Sequence, residues 1–122
     1  MASRYSDGGP LIARNLYTLP ADSLSRKSVP GVTMVGDAAH LSLPNGEGVN
    51  WAMFDSLELA QQIEHCGLDN LDEAVKRYEE KMLPRGIEHI KDGETLAEQM
   101  FGDDAPKKFR DFLASVGEVP AE

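Results

Sequence analysis

The sequence predicts a mainly α fold with a short β segment. Three observations carry that expectation: apolar residues recur at helical spacing over most of 49–116, one β-branched run stands at Val32-Thr33-Met34-Val35, and Gly or Pro punctuates the junctions. With 122 residues, 41% of them hydrophobic and 27% charged, the chain has the size and composition of one core-forming domain.

Residues 1–14, with Asp7-Gly8-Gly9-Pro10 in their midst, read as an irregular leader to a single domain over 15–122. Asn15 to Leu19 suits a short strand. Pro20 to Pro30 is polar and turn-rich, and Pro30-Gly31 is a turn dipeptide that delivers the chain into Val32–Val35, short and apolar enough for a buried strand. Gly36 to Gly48 is loop chemistry. A helix is expected from about Val49 to His65, and its apolar residues Val49, Trp51, Ala52, Met53, Phe54, Leu57, Leu59, Ala60 and Ile63 go almost all the way round, which predicts burial on several sides. Cys66-Gly67 closes it, with glycine free to turn left-handed.

Asp69 or Asn70 is positioned to cap a second helix whose inner residues are Leu71, Ala74, Val75, Tyr78 and Met82. Pro84 is expected to interrupt it. A third helix then runs from Arg85 or Gly86 to Met100, with Ile87, Ile90, Ala97 and Met100 inward, until Gly102-Asp103-Asp104 breaks the chain. Pro106 fits the first turn of a last short helix marked by Phe109, Phe112, Leu113 and Val116.

Twelve Lys and Arg against 21 Asp and Glu give a formal charge of -9, which disfavours nucleic acid and anionic membrane surfaces as partners. No stretch approaches the roughly 20 apolar residues of a membrane span. The first residues lack the apolar centre of a signal peptide, so the expected compartment is cytoplasmic. Cys66 is the one cysteine, without the Cys and His company of a zinc site, and no metal site is expected.

The chemistry concentrates between Gly36 and Asn50. Asp37 follows the expected strand, where α/β folds place ligand-contacting groups, and its carboxylate suits two hydroxyls of a polyol. Gly46 and Gly48 remove side chains where a flat ligand approaches the backbone. The helix starting near Val49 points its free N–H groups and positive dipole end at the same place.

In this order, GDAAH (Gly36 to His40), a Pro-containing loop, Gly46-x-Gly48-x-Asn50 and an apolar helix resemble the second FAD-binding motif of the class A flavoprotein aromatic hydroxylases. That is the family of para-hydroxybenzoate hydroxylase and the tetracycline-degrading monooxygenases. The run YEEKMLPR (Tyr78 to Arg85) is similar to the family's C-terminal helices. The resemblance implies a fragment of an α/β, Rossmann-like FAD-binding monooxygenase fold, completed by oligomerisation. It also implies that Asp37 binds the ribityl hydroxyls of FAD and that Gly36 lets the chain approach them. Pro44, Gly46 and Gly48 would then lie along the isoalloxazine edge, and Val49 and Asn50 would face the pyrimidine ring.

Two departures stand out. The loop has one residue fewer between Pro44 and Gly46 than the family's usual P-x-x-G-x-G-x-N, and no G-x-G-x-x-G opens a helix anywhere in the sequence. The sequence therefore reads as a truncated or split flavin-dependent monooxygenase, partnered by a complementary half or a second copy and taking a small aromatic or polycyclic substrate. Two alternatives come from the residues. One is a stand-alone fragment that binds a small organic molecule and catalyses a cofactor-free isomerisation or cyclisation with Glu47, Asp37 and His40 as acid/base groups; the other is a non-catalytic dimerisation protein. Glu47 and His40 are the candidate catalytic residues. A triad of His40 with Asp37 and Ser42 lacks a nucleophile elbow, and His65 and His89 read as solvated helix residues.

Overall fold

A computed structural model describes residues 12–115, and they are mainly helical. A 3-10 turn at Ala21–Leu24 precedes the single turn α1 (Asp37–His40), the long helix α2 (Gly48–Cys66), a second 3-10 turn (Leu68–Asn70), α3 (Leu71–Phe101) and α4 (Ala105–Ser115). Most of the expected leader and Val116 lie outside the described residues.

The helices begin and end for local reasons. At Gly67, φ is 79°, a conformation costly for any residue with a Cβ, and its N–H bonds the carbonyl of Ile63 at 2.9 Å to close α2. Asn70 flanks α3 without capping it. Its side-chain amide instead donates to the carbonyl of Cys66 at 3.0 Å and ties the end of one helix to the start of the next. Pro106 stands in the first turn of α4, where its missing N–H is no loss.

The core lies between α2 and α3. Ala74, Tyr78, Met82 and Ile90 recur along one stripe of α3 with no exposed surface, joined by Ala39 of α1 and by Leu24, and flanked by Leu59 and Leu83. The Tyr78 hydroxyl reaches out of this core to the carbonyl of Met34 at 3.0 Å and pins the segment before α1. Met100 was expected inside but is exposed.

Four expectations require correction. Val32–Val35 forms no strand: one bridge pairs Val29 with Val32 across the Pro30-Gly31 turn, and Val32, Met34 and Val35 stay substantially exposed. A β-branched run becomes a strand only with a neighbour to bond, and none exists among the described residues. Asn15–Leu19 likewise makes a single backbone bond, from the Leu19 N–H to the carbonyl of Leu41 at 2.8 Å.

Pro84 does not end a helix. α3 runs through it for 31 residues, with Met82 and Gly86 buried on either side. Packing at both flanks and the anchoring of Arg85 outweigh the roughly 3 kcal/mol that an interior proline costs. Finally, α2 is not buried all round. Val49, Met53 and Leu57 are more than half exposed, while Asp55 and Glu58 are buried, because α3 covers one side of α2 and presents Arg85 and Lys81 there.

Candidate functional site

Gly36 starts the site. Its φ of 59° is strained for other residues, and a Cβ there would sit 2.9 Å from that of Ala52 on α2. The chain then turns into α1, so Asp37 opens a one-turn helix instead of ending a strand, with its carboxylate exposed. The position of a Cβ on Gly48 lies 3.8 Å from Asp37 Oδ1, so the carboxylate stands over the first residue of α2.

The loop after α1 is tied down from three directions. The Thr18 hydroxyl donates to the carbonyl of Leu41 at 3.1 Å, and the Ser42 hydroxyl to that of His89 at 3.0 Å. Asn45 accepts the N–H of Glu47 on its side-chain oxygen at 3.0 Å and places its amide 3.3 Å from His89 Nδ1. Gly46 then takes φ of 84°, and the chain enters α2. Trp51 N–H is the first amide of α2 to find a helical carbonyl, that of Glu47, which leaves the amides of Gly48, Val49 and Asn50 without one.

These segments enclose an open cleft of about 740 Å³. Gly36, Asp37, Pro44, Gly46, Gly48 and Val49 all line it, together with Tyr17 and His89. Asn50 and Glu47 do not. They line a neighbouring hollow of about 480 Å³ with Trp51, Phe54 and Arg85, where the indole N–H donates to Glu47 at 3.3 Å.

His40 lies behind the cleft. Its Nε2 is 2.6 Å from Asp55 Oδ2, and Ser42 donates to backbone carbonyls, so His40, Asp37 and Ser42 form no triad. Asp55 also accepts Arg85 at 3.0 Å, and Arg85 bonds Glu58 at 2.8 Å, which takes Lys81 at 2.9 Å. Burial opposes charge on both carboxylates. The donors outweigh it: His40, the Gly36 amide and Arg85 hold Asp55 below its ordinary value, and Lys81 with Arg85 does the same for Glu58. Arg85 is raised in turn, despite its own burial, by Glu58 and Asp55.

His89 is the residue that sequence reasoning misplaced. It is buried, 3% exposed, edge-on to His40 at 5.5 Å, and held below its ordinary pKa by burial and by His40. Gly86 and Gly93 flank it on the same buried face of α3, and that helical spacing of small residues was the available signal. Among the described residues no group of three His, Cys, Asp or Glu side chains is placed to hold a metal, and no helix is long and apolar enough to cross a membrane.

Comparison with characterised proteins adds what geometry alone does not. Over 91 residues, 66% of this chain, the sequence is 41% identical to the monooxygenase penA of Penicillium thymicola. The chain is similar to part of a monooxygenase. It is also 44% identical over 59 residues to the monooxygenase asqM of Emericella nidulans, and 37% identical over 62 residues to the FAD-dependent monooxygenase phnB of Penicillium herquei. Each of those two matches takes in 48% of this chain. The chain spans only 21%, 13% and 15% of these three relatives. No family model matches the sequence, and no solved structure matches it.

Proposed function

We propose that this chain forms one wall of the flavin site of a class A type FAD-dependent monooxygenase. The observation that carries the reading is the cleft itself: residues between 36 and 49 that the motif assigns to flavin come together around one opening. The fit is physical as well as topological. A Cβ at Gly46 would meet nothing within 4 Å, and at Gly48 only the Asp37 carboxylate, so both glycines leave open a bare backbone cradle. Asp37 offers an exposed acceptor to vicinal hydroxyls. Beside it, the unpaired amides at the start of α2 favour negative charge, as the pyrimidine edge of a reduced flavin carries.

Bound there, FAD would supply the redox chemistry of oxygen insertion into a small aromatic or polycyclic substrate. The contribution of this chain is to hold and orient. Asp37 would anchor the ribityl chain, Pro44, Gly46 and Gly48 would border the ring, and the Val49 amide would favour negative charge at its edge. The matched relatives are about five to eight times longer than the stretch they share with this chain, so most of the walls of such a site lie outside that stretch.

The test is titration of the purified protein with FAD, followed by fluorescence quenching. Saturable quenching is expected, and Asp37→Ala should weaken it about 10- to 100-fold, since hydrogen bonds to a charged acceptor contribute roughly 1.5–3 kcal/mol. Protein indifferent to FAD would overturn the reading. One observation favours a second reading, cofactor-free acid–base catalysis: Glu47 faces the aromatic hollow away from the cleft. Isomerase or cyclase activity abolished by Glu47→Gln would establish it.

A further inference from the structure

The turn that carries Asp37 does not hold itself in place. Two backbone bonds to the Gly36 carbonyl, from Ala39 at 2.8 Å and His40 at 3.0 Å, make a single helical turn, too short to be stable alone. What fixes it is a side chain 19 positions along the sequence. Asp55 Oδ2 accepts the N–H of Gly36 at 2.9 Å and contacts His40 Nε2 at 2.6 Å, so one oxygen grips the entry and the exit of α1. The other oxygen is taken by Arg85 at 3.0 Å. Arg85 in turn is oriented by Glu58 at 2.8 Å and lies over the Phe54 ring, 4.5 Å from its centroid. Asp55 has no exposed surface and does not itself line the cleft, so its role runs through the turn.

We propose that Asp55, oriented by Arg85, is the positioning residue of the cleft: by clamping both ends of α1 it sets where Asp37 meets a ligand's hydroxyls. The proposal rests on the flavin reading for its ligand and on the hydrogen-bond geometry for its mechanism. A buried carboxylate is suited to this task. Its two oxygens accept from three directions at once, and burial strengthens each bond by excluding water. Its neutral isostere asparagine presents one acceptor oxygen and an amide that repels the Arg85 donors.

Three readouts on the folded protein test this: FAD affinity by fluorescence titration, thermal midpoint, and exchange of the Gly36 backbone amide by NMR. Asp55→Asn is expected to weaken FAD binding about tenfold or more and to accelerate Gly36 amide exchange by a similar factor, the equivalent of one lost charge-assisted hydrogen bond. The control is Glu79→Gln, a buried carboxylate that bonds Arg26 and the Thr33 hydroxyl at 3.0 Å but neither Gly36 nor His40. It should lower the midpoint while leaving FAD affinity and Gly36 exchange within about twofold of the wild type.

Arg85→Lys keeps the positive charge but loses the fork, and should show the Asp55→Asn pattern at smaller amplitude. It carries the test if Asp55→Asn does not fold. A folded Asp55→Asn or Arg85→Lys protein with unchanged Gly36 exchange overturns the proposal, as does Glu79→Gln matching their loss of affinity. If the wild type ignores FAD, the flavin reading falls, and Gly36 exchange alone decides whether Asp55 positions the turn.

Discussion

His89 shows how much a single residue depends on what covers it. Its sequence neighbours are charged, yet it stands on the buried face of α3 against the loop, with Asn45 at its Nδ1 and His40 edge-on. Burial holds its pKa below the ordinary 6.5, so the folded protein binds this proton less readily than the unfolded chain. The stabilisation is complete above about pH 6.5 and is lost as pH falls below it. Urea midpoints measured from pH 7.5 to 5.5 should therefore fall with acidification, and His89→Gln should flatten that slope. Asp55 and Glu58 titrate lower still and destabilise in the same direction only at more acid pH. Gly36, Asp37, Gly46 and Gly48 were legible in the sequence because their chemistry and order lie within fifteen residues. Asp55, Arg85 and His89 were not. Each acquires its role from contacts across 15 to 44 positions, which no local pattern encodes.

At the scale of elements, helices were readable and strands were not. Ala74, Tyr78 and Met82 repeat at helical spacing and do occupy the core, since a helix makes its hydrogen bonds internally and needs only a face to pack. Val32–Val35 has the right residues for a strand, but a strand is a property of a pair. Pro84 was misleading for a related reason: local cost gave way to packing on both flanks. The close fit of the cleft loop to α3 is also invisible locally. A Cβ at Gly93 would collide with the Ser42 hydroxyl and stand 2.8 Å from the carbonyl of Leu43, while one at Gly86 would meet Leu24 and His40 within 2.9 Å. Gly93→Ala should thus lift the loop from α3, lowering stability by about 1–3 kcal/mol through overpacking and opening the cleft. Thermal denaturation would register the first effect and faster amide exchange at Leu43 the second.

For the whole molecule, the question is what lies against its bare apolar face. Val49, Met53 and Leu57 on α2 are 72%, 67% and 55% exposed, while the core among the described residues is small. Burying such residues would contribute about 1.5–3 kcal/mol each, a strong drive to associate. The net charge of -9 works against pairing of identical copies. Self-association should accordingly strengthen as salt screens the repulsion, and Met53→Lys with Leu57→Lys should abolish it. Light scattering between low and moderate ionic strength measures both, and a salt-independent monomer would show that copies of this chain do not cover the face. The Asp55 clamp carries a lesson for protein engineering. GDAAH looks like a portable cassette of five letters, but its conformation is underwritten by residues on two other helices. Transplanting the motif into a new scaffold would require three separate grafts in register, at 36–40, 55–58 and 81–85. A scaffold given only the first would display the right letters in the wrong shape.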